Sequence, residues 1–314
     1  IGSGLVGSEM CIRDRIRHVL ETKDHVTICV ESKERTWELM IYPVVGGFRM
    51  VAGKKGFFDG KPEAFSMEES EHAYIIRSKE HEMILQKETL EISIDRKAIT
   101  NLKNISFIFE KESVSASRIQ FSIHENSAIY GFGERFDSVN QYGKTVALWQ
   151  RDACEGCLAS IGNQAYKNIP LVHTSDGFSF FANTSYRMRM DVGDAVQDYL
   201  SVEALGDVFD FYIWSGTPRE AMTAYGTLTG LPIFPPEWVF EPWAGGGGGR
   251  WRNGPLQDIA LEQMAAMKKF HELDIPHSGF YAEGAGATFY GEYKKEELYK
   301  VCLLYTSPSP RDRS

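Results

Sequence analysis

The amino-acid sequence predicts a mainly-β protein in which a β-sandwich is followed by the beginning of a parallel β/α domain. Short runs of alternating apolar and polar residues fill the chain from about residue 16 to residue 212, and such runs are typical of half-buried strands. A proline-rich stretch at 231–236 then interrupts the pattern. Beyond it, residues 238–282 are predicted to form a strand, a helix and a strand, an order that is typical of parallel pairing.

The strand predictions come from runs rich in β-branched, aromatic and other apolar residues, separated by turns that contain charged residues or glycine. Many short strands at this spacing are typical of two packed antiparallel sheets. The predicted strands are residues 26–30, 36–41, 73–76, 90–94, 105–109, 178–181 and 209–213.

A short helix is predicted directly after the last of these strands. Thr217 and Glu220 have the three-residue spacing of a capping box, and Pro218 occupies the first helical position. The helix is expected to cover residues 221–228 and to be ended by Gly230, because glycine is favoured at the carboxyl end of a helix. Residues 231–236 contain three prolines, so they are expected to form an extended linker.

After the linker, residues 238–243 are predicted to form a first strand, with the glycine run 245–249 at its carboxyl end. Pro255 is predicted to open a helix whose apolar residues recur at mostly helical spacing as far as Leu273. Residues 277–282 are predicted to form a second strand, parallel to the first. The glycine run is not a phosphate-binding loop, because no Gly-Lys-Ser/Thr sequence follows it.

Both ends of the sequence are expected to derive from a sequencing adapter. Back-translation of the two ends gives strings that are reverse complements of each other over their overlap. Residues 1–15 and 302–314 are therefore excluded from the fold prediction, the alternative being a genuine N-terminal arm and a Pro/Ser-rich tail. The expected domains are a β-sandwich over 16–230 and the truncated start of the β/α domain over 231–301.

Composition argues against two classes of partner. The net charge of −9 disfavours nucleic acid, whose phosphate backbone demands a basic surface. No apolar run approaches the roughly 20 residues that a membrane-spanning helix needs. The 43% hydrophobic and 12% aromatic fractions are those of a globular protein with a large core.

The cysteines outside the excluded ends are Cys29, Cys154 and Cys157. Cys154 and Cys157 form a lone CxxC motif without a second pair or a nearby histidine cluster, so a zinc or redox site is less favoured than two incidental loop thiols. No metal and no cofactor are predicted. An odd number of cysteines fits a reducing compartment better than secretion, so a cytoplasmic location is expected.

Five motifs occur in an informative order. They are GFGERF at 131–136, WQRD at 149–152, AYKNIP at 165–170, GLP at 230–232 and PPEW at 235–238. Together these motifs resemble the N-terminal half of glycoside hydrolase family 31, and the second and third resemble its α-xylosidase-like branch.

This resemblance implies a galactose-mutarotase-like β-sandwich followed by a (β/α)8 barrel, and exo-acting, retaining cleavage of α-linked glucosides or xylosides. Two aspartates about 5 Å apart act as nucleophile and general acid/base in such a mechanism. In the family both lie on later barrel strands, so no residue here is predicted to be catalytic and the chain alone is expected to be inactive. The expected partner is an α-linked oligosaccharide or glycoside, and the longer protein could form a homo-oligomer.

Two alternatives remain open. An α-glucosyltransferase of the same fold would use an acceptor sugar in place of water in the second step. A non-catalytic β-sandwich carbohydrate-binding module would need no barrel, so the strand–helix–strand order after Pro236 argues against it.

Asp152 is the first candidate for substrate binding. The resemblance implies that it lies in a sandwich loop over the barrel mouth, where an ionised carboxylate accepts strong hydrogen bonds from sugar hydroxyls. The alternative is a surface loop that only fixes its own backbone.

Glu283 is the second candidate, because it ends the second predicted barrel strand and barrel active sites lie at the carboxyl ends of strands. Relatives usually have an aspartate near this position, and a solvated loop acid is the alternative.

Trp243, Arg250 and Trp251 complete the candidates. Trp243 and the glycine run are predicted to end the first strand, where relatives have bulkier residues, so the glycines would widen the pocket or form a flexible lid. Arg250 and Trp251 would line the pocket, with Trp251 as a sugar platform, or serve only as loop anchors. Glu134 and Arg135 are instead predicted to form a buried or half-buried pair that fixes the sandwich.

Overall fold

In a computed structural model, the chain divides into two compact units, Ile1–Leu231 and Pro232–Ser314. The first unit is a β-sandwich, and the second contains a two-stranded sheet. In the part of the chain that the structure describes, no helix is long and apolar enough to cross a membrane. The structure describes residues 15–32, 36–53, 62–110, 113–150, 165–240, 242–247, 265–276 and 279–283.

The structure describes seventeen strands in the sandwich, which range from four to fourteen residues in length. In chain order they are β1 (Arg15–Glu21), β2 (Val26–Glu31), β3 (Thr36–Val44), β4 (Gly47–Gly53), β5 (Ser66–Glu69), β6 (Ala73–Arg77), β7 (Glu82–Gln86), β8 (Glu91–Ile94), β9 (Lys97–Glu110), β10 (Ser113–Ser122), β11 (Ile129–Gly133), β12 (Lys144–Leu148), β13 (Asn168–Thr174), β14 (Phe178–Ala182), β15 (Met188–Val192), β16 (Tyr199–Leu205) and β17 (Val208–Ser215).

These strands form two antiparallel sheets. The first sheet has eight strands in the order β1-β2-β3-β4-β17-β14-β13-β11. The second has nine strands in the order β12-β15-β16-β10-β9-β8-β7-β6-β5. The β-sandwich that the sequence predicts is therefore confirmed.

The two sheets bury a shared apolar core. Alternate side chains of a strand lie on the same face of its sheet, and this alternation brings Phe180 and Phe211 of the first sheet against Phe121 of the second. The Phe121 ring centroid lies 4.7 Å from that of Phe180 and 5.9 Å from that of Phe211. All three rings are fully buried. Burying a phenylalanine side chain contributes about 1.5–3 kcal/mol, so this cluster holds the sheets together.

The strand boundaries differ from the sequence predictions mainly in length. Predicted strand 105–109 is part of the longer β9, because backbone pairing with β8 and β10 continues through polar residues. The predicted strands correspond to seven of the seventeen, and the other ten were not named from the sequence; they are β1, β4, β5, β7, β10, β11, β12, β13, β15 and β16. In β5 the reason is visible, because its four residues, Ser-Met-Glu-Glu, show no apolar alternation.

Helix α1 (Pro218–Thr229) packs against Trp214 through two buried alanines, in an apolar cluster separate from the main core. Its predicted capping box is present. The amide of Glu220 donates to Thr217 Oγ1 at 3.3 Å, and the amide of Thr217 donates to the Glu220 carboxylate at 2.7 Å. The helix ends at Gly230, as the sequence predicts.

The second unit differs from the prediction in the position of its first strand. A 3-10 helix over Glu237–Phe240 occupies the first half of predicted strand 238–243, and strand β18 runs over Trp243–Gly247. Pro242 has no N–H to donate to a neighbouring strand, so the strand begins one residue later. Glycines 245–247 are therefore part of the strand and not a loop at its carboxyl end.

Strand β18 pairs in parallel with β19 (Gly279–Glu283), which confirms the predicted parallel arrangement. Residues 265–272 are helical, whereas the predicted helix start at Pro255 lies outside the described residues. Arg15, the last residue attributed to the adapter, is the first residue of β1. The other residues of the two excluded ends lie outside the described part of the chain.

An ion pair joins the neighbouring strands β4 and β17. Arg49 Nε donates to Asp210 Oδ1 at 2.8 Å, and Arg49 Nη2 donates to Asp210 Oδ2 at 2.5 Å. The Arg49 side chain is 6% exposed and that of Asp210 is 16% exposed. The Asn183 amide also donates to the Asp210 carboxylate at 2.8 Å. Removing one partner of such a pair leaves the other charge buried without compensation.

Replacing Asp210 with alanine is expected to destabilise the chain by about 3–5 kcal/mol, because the buried Arg49 guanidinium would lose the carboxylate that binds it. Urea unfolding monitored by tryptophan fluorescence measures the loss. Glu203→Ala, which breaks the more exposed Arg118–Glu203 pair, is the matched control and is expected to cost about 1 kcal/mol or less. Equal losses in the two variants would contradict the importance assigned to the Arg49 pair.

Candidate substrate-binding site

The five predicted substrate-binding residues are distributed over both units. Asp152, Arg250 and Trp251 lie outside the described residues. Glu283 is the last residue of β19, and Trp243 is the first residue of β18. The structure therefore shows which strand ends carry Glu283 and Trp243, and which residues flank Asp152 in the chain.

Glu283 lies where the two parallel strands have their carboxyl ends. The register pairs it with Gly247, the last residue of β18. Functional groups of parallel β/α domains gather at the carboxyl ends of their strands. The sequence also predicts Glu283 at the carboxyl end of this strand, in agreement with its position as the last residue of β19.

Trp243 lies at the amino end of the same two strands, where it pairs with Gly279. The prediction that it ends the first strand is therefore wrong, because Pro242 delays the strand start to Trp243 itself. Four residue steps, about 13 Å, separate Trp243 from the carboxyl end of β18. Its indole N–H donates to Val239 O at 3.2 Å, and its ring packs on Trp238 at 5.4 Å. Trp243 as a whole is 43% exposed, and its use as a sugar contact stays a prediction.

In the β-sandwich, the chain on both sides of Asp152 is anchored. Gln150 and Ala165 form an isolated parallel bridge, which holds the two ends of segment 151–164 side by side. Gln150 lies shortly after β12, and Ala165 lies shortly before β13. We define the loop root as residues 132–135, 147–150 and 165–168.

The end of β11, which enters the loop root, has a strained backbone. Gly131, Phe132 and Gly133 have φ angles of 114°, 68° and 84°. A bulky residue in this region costs about 1–3 kcal/mol, yet Phe132 adopts it while fully buried in the core. A Cβ atom on Gly133 would clash with the carbonyl oxygen of Lys167, and one on Gly131 with that of Leu171. The close approach of β11 to β13 therefore requires glycine at both positions.

Arg135 connects the parts of the loop root. Its Nη2 donates to Asn168 Oδ1 at 2.6 Å and to Phe132 O at 3.1 Å, with Ala147 O at 3.5 Å. Among the described residues, Arg135 has no ion pair with Glu134, so the predicted Glu134–Arg135 pair is wrong. The guanidinium finds its acceptors on an amide side chain and on backbone carbonyls, which a sequence pattern does not reveal.

Asn168 extends this connection to the bridge. Its Nδ2 donates to Ala165 O at 2.9 Å, while its Oδ1 accepts from Arg135. The Glu134 amide donates to Lys167 O at 2.8 Å and adds a second link between the same two chain segments. Asn168 thus links Ala165, the residue that follows segment 151–164, to the Arg135 guanidinium.

The environment of Arg135 is unfavourable for a charge. Burial lowers the pKa of Arg135, and the nearby Asp137 carboxylate offsets only part of this change. The Nε and Nη1 atoms are buried and have no hydrogen-bond partner among the described residues. Asp137 is itself bound by Lys144 Nζ at 2.7 Å and by Gln141 Nε2 at 3.0 Å.

Residues 18–191 match the family model described as the glycosyl hydrolase 31 N-terminal galactose mutarotase-like domain. The match covers more than half of the chain and includes the whole loop root. The chain belongs to glycoside hydrolase family 31.

Individual relatives support this family assignment. The chain is 34% identical to alpha-xylosidase XylQ of Lactiplantibacillus pentosus over 166 residues, which are 52% of this chain and 21% of that protein. It is 24% identical to alpha-glucosidase 2 of Bacillus thermoamyloliquefaciens over 226 residues, which are 69% of this chain and 27% of that protein. The chain therefore spans about a quarter of the length of these family 31 relatives.

Solved structures of other proteins share the fold. The cycloalternan-forming enzyme from Listeria monocytogenes, in complex with a pentasaccharide substrate, has a TM-score of 0.72 at 19% identity, covering 86% of this chain and 26% of that one. A GH31 dextranase from Flavobacterium johnsoniae, complexed with glucose, has a TM-score of 0.69 at 19% identity, covering 93% of this chain and 37% of that one. At this identity the similarity shows the fold alone.

The family 31 sandwich also has two concave surfaces that the sequence did not predict, because residues distant in the chain form them. An open groove of about 440 Å³ borders Asn168 and Tyr225. A cavity of about 390 Å³ lies among Lys97, Asp176 and Asp198. No three His, Cys, Asp or Glu residues in the described part of the chain are grouped for a metal. The CxxC motif at 154–157 lies outside the described residues.

Gly133→Ala is expected to destabilise the family 31 sandwich more than Gly143→Ala does. Both glycines have positive φ, 84° and 77°, so alanine at either position costs about 1–2 kcal/mol. Only at Gly133 does the new Cβ also meet a backbone carbonyl, whereas nothing lies within 4 Å at Gly143. Urea unfolding of the two variants measures the difference. Equal losses would show that the approach of β11 to β13 is not what requires glycine.

Proposed function

We propose that the chain is the N-terminal part of a retaining exo-α-glycosidase that hydrolyses α-linked xylosides or glucosides. The observation that carries the proposal is a family 31 β-sandwich followed, after a proline-rich linker, by two parallel strands. A module that only binds sugar needs no parallel β/α unit, which disfavours the carbohydrate-binding alternative. The names of the relatives, an α-xylosidase and an α-glucosidase, suggest the substrate class.

Retaining hydrolysis proceeds by two displacements at the anomeric carbon. One carboxylate attacks this carbon while a carboxylic acid protonates the departing glycosidic oxygen, and water activated by the second group then releases the sugar. The two groups must lie about 5 Å apart, on opposite sides of the scissile bond. We assign neither role to a residue of this chain, and the proposal puts both on barrel strands that follow β19.

Each residue proposed to contact the substrate lies at the end of a strand or bridge, or follows one in the chain. Asp152 comes two residues after the bridged Gln150, and its carboxylate would accept hydrogen bonds from sugar hydroxyls. Glu283 would do the same from the carboxyl end of β19. Arg250 and Trp251 follow β18 in the chain, and the Trp251 ring would stack on the apolar face of the sugar.

The protein encoded by the complete gene is expected to cleave a 4-nitrophenyl α-xyloside or α-glucoside and to leave the β-linked forms intact. Proton NMR is expected to show the α-anomer of the free sugar first, because two inversions restore the configuration. The 314-residue chain alone is expected to be inactive, since two strands cannot close a barrel.

Initial release of the β-anomer would contradict the retaining mechanism. Turnover by the 314-residue chain would contradict the assignment of catalysis to later strands. Transfer of the sugar to added maltose in preference to water would support the α-glucosyltransferase alternative.

Asp152→Asn in the complete protein is expected to lower kcat/KM about 10- to 100-fold, because a hydrogen bond to a charged group contributes about 1.5–3 kcal/mol. Steady-state kinetics with the better aryl glycoside measures the loss. Asp194→Asn changes an exposed carboxylate of the same sandwich and serves as the matched control, with kinetics equal to wild type. A wild-type kcat/KM for Asp152→Asn would remove this residue from the substrate contacts.

A further inference from the structure

We infer that the open groove of about 440 Å³ beside α1 is a binding site for a neutral oligosaccharide. It lies on the face of the first sheet that points away from the main core, and we call it the sheet groove. Its described lining residues include none of those proposed to contact the glycoside substrate. The inference therefore goes beyond the proposed function, and it needs no catalytic group.

The aromatic wall of the sheet groove comes from β14 and α1. Phe181 follows the core residue Phe180 in β14, so alternation places its ring on the opposite face of the sheet. There it packs against Tyr225 of α1, with the ring centroids 5.2 Å apart at an interplanar angle of 74°. Both rings are half-buried and line the groove, so each keeps part of its surface open to a ligand.

Polar groups line the groove where the chain leaves β14. The backbone amide of Asn183 donates to Asp210 O at 2.8 Å, and its Nδ2 donates to the Asp210 carboxylate at 2.8 Å. The same carboxylate is held by the buried Arg49. This ion pair fixes the Asn183 side chain by its nitrogen, so its Oδ1 is the atom that can accept hydrogen bonds from a ligand. Ser185, which is exposed, adds a hydroxyl that both donates and accepts.

This combination of groups matches the chemistry of a neutral sugar. A sugar ring has an apolar face that packs on an aromatic side chain, and hydroxyls that bond to amide and hydroxyl groups. Ligand sites typically have volumes of about 300–1,000 Å³ and combine apolar and aromatic walls with a few polar groups. The sheet groove has both properties. None of its described lining residues has a charged side chain, so it offers no counter-charge to an ionic ligand.

Titration of the 314-residue chain with maltoheptaose, a neutral glucose oligomer, tests the inference. Saturation-transfer NMR is expected to detect saturable binding and to give its dissociation constant. A galacturonic acid oligomer of the same length carries a negative charge on each sugar. It is expected to bind at least about tenfold more weakly, because burying a charge without a partner is unfavourable.

Two variants locate the binding at this groove. Tyr225→Ala is expected to weaken maltoheptaose binding about tenfold, because it removes one ring of the aromatic wall. Ser185→Arg leaves the aromatic rings in place, fills the groove with a long side chain from an exposed position, and is expected to weaken binding by a similar factor. Met222→Ala changes an exposed residue of α1 outside the described lining and is the matched control, with wild-type affinity. Urea unfolding checks that each variant is folded.

The outcomes separate this inference from the proposed function. No saturable binding of maltoheptaose, or equal binding of the charged oligomer, would overturn the inference. Wild-type affinity in folded Ser185→Arg would also overturn it, because the sugar would then bind elsewhere on the chain. An active complete enzyme whose 314-residue part binds no oligosaccharide would refute the sheet groove and keep the proposed function. An inactive complete protein whose groove variants lose binding would do the reverse.

Discussion

The burial of one face of each antiparallel sheet against the other is the interaction on which the rest of the sandwich depends. Because side chains alternate along a strand, a slip of one residue would move an entire apolar set to the opposite face. The phenylalanine cluster around Phe121 thus fixes the register of strands from both sheets. Phe132 is buried in the same core, three residues before Arg135 in the chain.

The loop root lies at the margin of this core, next to the buried Phe132. Glycines 131 and 133 allow β11 to approach β13 more closely than any side chain would permit. The chain then turns Arg135 inward, where one nitrogen is well bonded and the other two have no hydrogen-bond partner within the described part of the chain. The same sandwich buries a large apolar core between its two sheets, and burial of apolar surface is the main favourable contribution to folding.

The sequence predicted the features that depend on periodicity and on local hydrogen bonding. Alternation predicted the two-sheet sandwich, and the Thr217–Glu220 spacing predicted the capping box. The order of segments predicted the parallel pairing of β18 with β19. The position of β18 was missed, because glycines carry no apolar pattern and Pro242 shifted the strand start. The partner of Arg135 was missed, because Asn168 lies far along the chain and backbone carbonyls leave no trace in a sequence.

The most direct test of the account is a crystal structure of the complete protein with a bound monosaccharide. We expect an oxygen of the Asp152 carboxylate to lie within hydrogen-bond distance, about 2.5–3.0 Å, of a sugar hydroxyl. We also expect the Arg135 guanidinium to donate to Asn168 in the same crystal. An ordered sugar in the active site with no contact from residues 151–164 would contradict the claim that this sandwich serves substrate binding.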